Sequence, residues 1–254
     1  MRYAILRLKM RTIKMTIEYD GSNYLGWQVQ PRGLTIQGIL EEKLALLTGQ
    51  RTQVTASGRT DAGVHALNQV AHFRTESQMD IRSFQKALNS LLPPDILIKK
   101  IEEVKEGFHA RKSARSKTYV YQILNHPLRS PFHRTMAWHI SQKLDLGEMK
   151  KATSYLVGEH DFSAFRSVGS PTRTATRRVL RAEWKMGKGG FIRFEIEATG
   201  FLKQMVRAIV GTLVEVGKGR IESKEVMKII DSRDRKKAGP TAPARGLFLK
   251  EVKY

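Results

Sequence analysis

The chain has 254 residues, of which 41% are hydrophobic, so it can bury one large core or two ordinary ones and is too apolar for wholesale disorder. Its 45 lysines and arginines outnumber 24 aspartates and glutamates, which gives a net charge of +21. Such an excess favours a polyanionic partner, most commonly nucleic acid, although ribosome-associated proteins in general share it. The absence of cysteine excludes disulfides, thiolate metal sites and cysteine nucleophiles.

The amino-terminal stretch MRYAILRLKMRTIK carries a charge every few residues and has no long apolar run. No other segment reaches the length that a bilayer requires. The sequence therefore predicts neither a signal peptide nor a membrane span. We expect a soluble protein of the cytoplasm with no membrane partner.

The first half predicts the element order β-α-β-β-α-β. A strand, TIKMTIEYD, opens at Thr12, and a helix follows between Thr35 as N-cap and Gly49 as stop. Two short strands, TQVTAS and NQVAHFRT, flank the stretch ASGRTDAGVHA. A second helix, capped by Asp80 and ended by Pro93, precedes a closing strand, DILIKKIEEV. The inward stripes of the two helices are Ile36, Ile39, Leu40, Leu44 and Leu47, and Ile81, Phe84, Leu88 and Leu91.

After a charged link, KEGFHARKSARSK, the order returns as β-α-β-β-α-α-β. The strand TYVYQILNH and the helix DLGEMKKATSYLVG lead to a hairpin of RRVLRAEWKM and GFIRFEIEATG. The helices FLKQMVRAIVGTLVEVG and SKEVMKIID and the strand GLFLKEVKY complete the half. We therefore predict an α+β protein with two ferredoxin-like halves, 1–106 and 107–254, whose boundary lies near Gly107 to Lys117. Two such halves leave a cleft in which ligands tend to bind.

Several familiar signatures of catalysis are absent from the sequence. There is no G-x-x-x-x-G-K-[ST] and no G-x-S-x-G, and the seven histidines are scattered without metal-ligand spacing. Nucleotide hydrolysis, metal sites, cofactor sites and hydroxyl nucleophiles are therefore not supported.

The stretch ASGRTDAGVHA allows two interpretations. It can be an ordinary connection in which glycines take positive φ and Asp61 bonds its own backbone. It can also be a loop that presents one acid, because it is longer than a tight hairpin needs and its end, GVHA, is apolar enough to dock on the core. Arg59, two residues away, favours an ionised and nucleophilic carboxylate. A single acid does not suit ordinary glycoside hydrolysis, which usually needs a pair.

The stretch ARKSARSKTYVYQ interleaves basic residues with Tyr119 and Tyr121, which lie two apart and so share a strand face. This pattern suits phosphate contact and stacking on an unpaired base, or a solvated linker entering a strand with one core tyrosine. Its basic residues are Arg111, Lys112, Arg115 and Lys117.

Arg207 falls in a strongly apolar helix. A buried arginine is costly unless a carboxylate meets it, but an arginine at the polar edge of a helix packs its stem and keeps its head in water. Two further stretches are open to interpretation. YDGSNYLGWQVQP contains Tyr24, Trp27, Gln28 and Gln30, which contact RNA or cover the core, and TRTATRRVLR adds positive charge at Arg173, Arg177, Arg178 and Arg181.

From Tyr19 to Tyr254, the chain resembles the TruA family of tRNA pseudouridine synthases, which act on positions 38–40 of the anticodon arm. The matching stretches, in order, are YDGSNYLGWQVQP, SGRTDAGVHA, FHARKSARSKTYVYQ, DFSAFR, FLKQMVRAIVGTLVEVGKG and GPTAPARGLFLKEVKY. Of these, GRTDAGVHA is highly specific, whereas the arginine-rich runs are not.

The resemblance implies a pseudouridine synthase fold with a continuous, mainly antiparallel sheet and a basic central cleft. It also implies a homodimer that binds the tRNA anticodon stem-loop with both subunits, flips the target base and uses no cofactor or metal. By motif, Asp61 is the catalytic nucleophile, Tyr119 packs against the target base, Arg207 pairs with the aspartate, and Arg59 helps to hold the displaced nucleotide.

A non-catalytic RNA-binding protein explains the charge and the aromatic residues equally well. A nuclease or base-excising glycosidase requires a metal site or a second acid.

Overall fold

The computed structural model describes residues 9–167 and 174–254. The chain forms two compact units, of which the first runs as far as Ala114 and includes Tyr254, and the second is Arg115–Lys253. Of the positions singled out in the sequence, Arg173 and residues 1–8 lie outside the described residues. Within the described ranges, no helix is long and apolar enough to cross a membrane.

The first unit has the predicted order of elements. They are β1 (Arg11–Tyr19), α1 (Ile36–Thr48), β2 (Thr55–Ala56), β3 (His65–Thr75), α2 (Ile81–Leu91) and β4 (Ile96–Val104). Strand β1 pairs antiparallel with both β3 and β4, and the short β2 pairs antiparallel with β3. This is the strand arrangement of a ferredoxin-like fold. Strand β2 is shorter than the sequence predicts, whereas β3 begins earlier than predicted.

The helix caps of the first unit follow the sequence prediction. The Thr35 hydroxyl accepts the Gly38 N–H, Gly49 ends α1 with a φ of 70°, and the Asp80 carboxylate accepts the Ser83 N–H. The predicted inward stripes are buried in the middle of each helix, at Leu40 and Leu44 of α1 and at Phe84 and Leu88 of α2. The prediction for Leu91 is wrong: α2 ends there, Leu91 is exposed, and the next residue, Leu92, is buried in its place.

The second unit repeats the arrangement with additions. Its elements are β5 (Ser116–Asn125), β6 (Trp138–Ile140), α3 (Leu146–Ser154), β7 (Gly158–Asp161), β8 (Thr176–Met186), β9 (Phe191–Ala198), α4 (Met205–Gly217), α5 (Glu225–Ser232) and β10 (Leu247–Lys253). Strand β5 lies between β10 and β9, and β8 and β7 follow beyond β9, all antiparallel. The short β6 pairs parallel with β5. Strands β6 and β7 are too short to show a sequence pattern and were not predicted.

Helix α4 begins later than its apolar pattern predicts. Gln204 has a left-handed φ of 60°, so the helix starts at Met205 and not at Phe201. Within the helix, a Cβ on Gly211 would lie only 1.6 Å from the Pro240 carbonyl oxygen. Only glycine therefore lets the segment that leads to β10 pass so close to α4.

Candidate active site

The loop between β2 and β3 carries Asp61 and Arg59. The Val64 N–H donates to the Asp61 carbonyl oxygen at 3.1 Å, and Gly63 takes a φ of 74°, so the backbone turns sharply just after the acid. Asp61 is half-buried and Arg59 is exposed. The loop is thus a turn, and it also carries the half-buried acid Asp61.

The end of this loop is docked on the core, as its apolar sequence predicts. Val64, His65 and Ala66 are all buried. His65 Nδ1 lies 3.1 Å from the Gly21 nitrogen and 3.1 Å from Asp20 Oδ1. Burial works against ionisation of Asp20, but hydrogen bonds from the hydroxyl and N–H of Ser22 and the nearby His65 hold the pKa of that carboxyl below its usual value.

The segment after β1 closes tightly over the other side of the loop. A Cβ on Gly26, whose φ is 91°, would lie 2.5 Å from the Thr60 carbonyl oxygen and 2.9 Å from the Asp61 carbonyl carbon. The Trp27 N–H donates to that Thr60 oxygen at 3.1 Å. The side chains of Tyr24 and Trp27 are buried. Of the two interpretations of this segment, covering the core is therefore the one that the structure shows for its aromatic residues.

Buried polar side chains lie in the first half of the loop and in the strands that it packs against, and no sequence pattern singles them out. They are Tyr19, Ser57, Thr60 and Gln69. Their sequence signal is weak, because a single glutamine in NQVAHFRT or a tyrosine at the end of a strand is common in half-buried strands. Their burial together is visible only in three dimensions.

In the second unit, Tyr119 lies on β5 between Ile196 of β9 and Leu249 of β10. It is 8% exposed, and its ring meets the ring of Phe201 edge-on at a centroid distance of 4.9 Å. Tyr121 shares its strand face, is fully buried, and donates its hydroxyl to the Pro243 carbonyl oxygen at 2.7 Å. Tyr121 is therefore a core tyrosine.

Arg207 lies in the first turn of α4 and is half-buried. Its Nε–H donates to the Ala242 carbonyl oxygen at 2.8 Å, and the Ala242 N–H donates back to the Arg207 carbonyl oxygen at 3.0 Å. Burial raises the pKa of Tyr121 far above its usual value, and the charges of Arg207 and Arg245 offset part of that rise. The Arg207 guanidinium is thus held by the segment that contains Pro240 and Ala242. This segment can lie next to α4 because residue 211 is glycine.

Part of the positive charge of the second unit is neutralised on its sheet. Glu195 accepts hydrogen bonds from Arg181 at 2.6 Å and from Lys250 at 2.8 Å. Glu197 accepts from Lys253 at 2.9 Å and from the Ser116 hydroxyl at 2.6 Å. Arg181, which the sequence places in a basic run, is therefore committed to ion pairs within the unit.

In the part of the chain that the structure describes, no three histidine, aspartate or glutamate side chains cluster so as to hold a metal ion. The structure brings Asp61 and Arg59 together on one loop of the first unit, and it places Tyr119 and Arg207 on β5 and α4 of the second.

Comparison with known proteins agrees with this architecture. The family described as tRNA pseudouridine synthase matches residues 15–111 and 152–254. The chain is 47% identical to tRNA pseudouridine synthase A of Thermoanaerobacter sp. (strain X514) and covers 100% of that protein with 96% of its own length. It is 48% identical to tRNA pseudouridine synthase A of Acetivibrio thermocellus over 96% of this chain and 100% of that protein.

A solved structure of an H/ACA RNP bound to a substrate RNA containing 2′-deoxyuridine matches with a TM-score of 0.39 at 12% identity. The match covers 80% of this chain and 43% of that chain. The ferredoxin-like units and the family match together define an isomerase with the pseudouridine synthase fold, which converts uridine to pseudouridine. The chain belongs to the tRNA pseudouridine synthase family.

Proposed function

We propose that the protein isomerises uridine to pseudouridine at positions 38–40 of the tRNA anticodon stem-loop, with Asp61 as catalytic nucleophile. The observation that carries this proposal is the loop of the first unit, whose backbone is anchored on both sides of the half-buried Asp61. A mobile surface turn would not hold an acid in a fixed direction, and fixed direction is what nucleophilic assistance requires.

In the proposed reaction, the C1′–N1 bond of the target uridine breaks with the help of the Asp61 carboxylate. The detached uracil turns within the site, and C5 forms a bond with C1′ while C5 loses its proton and N1 gains one. No water is consumed, so no second carboxylate is needed to activate one. A single acid, which does not suit hydrolysis, is therefore sufficient for this isomerisation.

The other residues receive roles that suit their surroundings. We propose that Tyr119, which is held on β5 and is 8% exposed, packs against the target base. Arg207 supplies the positive charge that pairs with Asp61, and its guanidinium is fixed through Nε by the Ala242 carbonyl oxygen. The exposed Arg59 holds the displaced nucleotide. Extrusion of the target base costs a few kcal/mol, which contacts between the +21 charge of the chain and the phosphates offset.

We further propose that the functional halves are 1–106 and 107–254, that the site lies in a cleft between them, and that two chains form a homodimer that binds one tRNA in the cytoplasm. The reaction as written needs no cofactor or metal. Support comes from the two ferredoxin-like units, from the charge and from the relatives named above.

The decisive experiment replaces Asp61 with Asn. Asp61→Asn is expected to bind unmodified tRNA with the affinity of the wild type and to release no tritium from C5-labelled uridine, since the amide is not a nucleophile. Asp80→Asn is the matched control, because asparagine caps a helix as well as aspartate does, and it is expected to keep full activity. Measurable product from Asp61→Asn would contradict the assignment.

Position is tested separately with tRNA transcripts that keep a single uridine in the anticodon arm. Release is expected when that uridine stands at 38, 39 or 40 and not when it stands elsewhere in the arm. A protein that binds tRNA but releases no tritium from any transcript is a non-catalytic RNA-binding protein. Free uracil or a cleaved chain would indicate a glycosidase or a nuclease.

A further inference from the structure

Four polar side chains that the proposed chemistry does not use are buried at the Asp61 loop, two of them in the loop and two in the strands that it packs against. Their exposed fractions are 3% for Tyr19, 0% for Ser57, 6% for Thr60 and 0% for Gln69. Buried polar groups are costly unless they are hydrogen-bonded, and apolar side chains of similar shape would fill the same space without that demand. Their presence beneath one functional loop therefore calls for a reason beyond packing.

Gln69 of β3 binds the beginning of the loop from below. Its Oε1 accepts the Ser57 hydroxyl at 2.7 Å, and its Nε2 donates to the Gly58 carbonyl oxygen at 2.9 Å. The Ser57 N–H in turn donates to the Val70 carbonyl oxygen at 2.7 Å. The first two loop residues are thus held to β3 by both side-chain and backbone bonds, which fixes the point from which the chain leaves the sheet.

Tyr19 of β1 binds the residue that precedes the acid. Its hydroxyl and the Thr60 Oγ1 are hydrogen-bonded at 2.8 Å, and both groups are buried. Burial raises the pKa of Tyr19 to about 12 despite its hydrogen bonds to Thr60 and Gln69, so the phenol stays neutral at physiological pH. Thr60 is also held through its carbonyl oxygen by the Trp27 N–H at 3.1 Å. Both its side chain and its backbone are therefore fixed directly before Asp61.

We propose that Tyr19 and Gln69 are positioning residues, which act through Thr60 and Ser57 to hold the Asp61 carboxylate in its reactive orientation. This inference rests on the proposed function of Asp61. The supporting groups are neutral, so they restrain the loop without adding a charge next to the acid. They lie in the sheet beneath the loop, and tRNA binding therefore does not depend on them.

The test is Tyr19→Phe, which removes one oxygen atom. Single-turnover tritium release at saturating tRNA is expected to slow 10- to 100-fold, while the Kd for tRNA changes less than twofold, because a misplaced nucleophile lowers the chemical step alone. The matched control is Tyr254→Phe. Tyr254 belongs to the same unit and donates its hydroxyl to the Ala110 carbonyl oxygen at 2.9 Å, and the control is expected to keep the wild-type rate.

A second pair of variants tests the same bond from the other side. Thr60→Val keeps the shape and removes the hydroxyl, and it is expected to reproduce the slow rate of Tyr19→Phe. Thr60→Ser keeps the hydroxyl and is expected to restore the rate to within threefold of the wild type. If Tyr19→Phe does not fold, this pair decides the question.

Three outcomes separate the inference from the function on which it rests. A wild-type protein that forms no pseudouridine would overturn the proposed function and the inference together. An active wild type with unchanged rates in Tyr19→Phe and Thr60→Val would overturn the positioning role alone. Equal losses of rate in Tyr19→Phe and Tyr254→Phe would also overturn it, because they would show a general effect of stability.

Discussion

The two units share a strand arrangement but hold the side chains that we propose to be functional by different means. In the first unit, Asp61 lies on an irregular loop. Hydrogen bonds from the buried side chains of Tyr19 and Gln69 hold the loop, and the segment around Gly26 packs closely against it. In the second, Tyr119 and Arg207 lie on a central strand and a helix, where backbone ladders fix them. The charges of the second unit's sheet are collected in ion pairs around Glu195 and Glu197.

The difference shows which contacts fix the positions of these side chains in each unit. A strand or helix positions a side chain through many weak, repeated bonds, so the loss of one bond changes little. A loop depends on a few specific contacts, so single atoms matter. Substitutions that remove a loop contact but leave the backbone ladders intact, or the reverse, will therefore show how the two units differ.

Among substitutions that compare the two units, the largest effect is expected for Arg207→Ala. Under the proposed function, the change removes the counter-ion of Asp61, and kcat/KM is expected to fall at least 100-fold, which corresponds to about 2.7 kcal/mol. Arg207→Lys is expected to recover only part of the loss, because lysine lacks the planar guanidinium. Tritium release measures both variants, and Lys228→Ala on the exposed face of α5 controls for the lost charge. Normal activity in Arg207→Ala would show that the Arg207 charge does not take part in the reaction.

Gly26→Ala tests the closing of the first unit's loop. The new Cβ would meet the Thr60 carbonyl oxygen at 2.5 Å in a backbone conformation that disfavours alanine. We expect the free energy of unfolding to fall by about 2 to 3 kcal/mol, together with a loss of turnover. Denaturant titration measures the first effect. Gly107→Ala, whose Cβ would meet nothing within 4 Å, is expected to change neither. Equal behaviour of the two variants would mean that the Gly26 segment is not tightly closed.

The smallest effect is expected on the stability of the protein at low pH, to which the ion pairs of the second unit contribute. Hydrogen bonds from Ser116 and Lys253 hold the pKa of Glu197 below its ordinary value of 4.5. The unfolded chain therefore takes up this proton first. The stabilisation is complete above the unfolded pKa and is lost as the pH falls through the folded one. We expect Glu197→Gln to reduce the loss of stability below pH 4.5 by about 1 kcal/mol or less, given partial solvent screening.

The measurement for this third prediction is chemical unfolding at several pH values and two salt concentrations. Glu251→Gln, at an exposed position of β10, is the control. A slope against pH that is the same in Glu197→Gln and in the wild type would show that the pair contributes nothing to the acid response.

The sequence predicts those parts of the fold whose cause is local. The Thr35 and Asp80 caps, the Gly49 stop and the buried Leu40 and Phe84 follow from helix period and capping chemistry. The late start of α4 escapes prediction because the apolar pattern continues through Gln204, whose left-handed backbone no pattern encodes.

At the candidate site, the residue types are visible in the sequence and their surroundings are not. Asp61 and Arg59 lie two residues apart in the chain, so their loop is evident. The bond between Tyr19 and Thr60 joins residues 41 positions apart, and Gly26 is needed only because another segment passes within reach of it. Such contacts depend on tertiary packing, which single-sequence periodicity does not report.

Tyr254 belongs to the first unit although every residue from Arg115 to Lys253 belongs to the second. Its hydroxyl donates to the Ala110 carbonyl oxygen at 2.9 Å, its ring meets Phe108 at 5.1 Å, and the Lys14 ammonium lies 5.0 Å from it. During translation, Tyr254 is therefore added only after the whole second unit has been synthesised. The first unit cannot complete its packing around Phe108 and Lys14 before that point. Folding of the unit that carries Asp61 is therefore complete only after synthesis of the second unit.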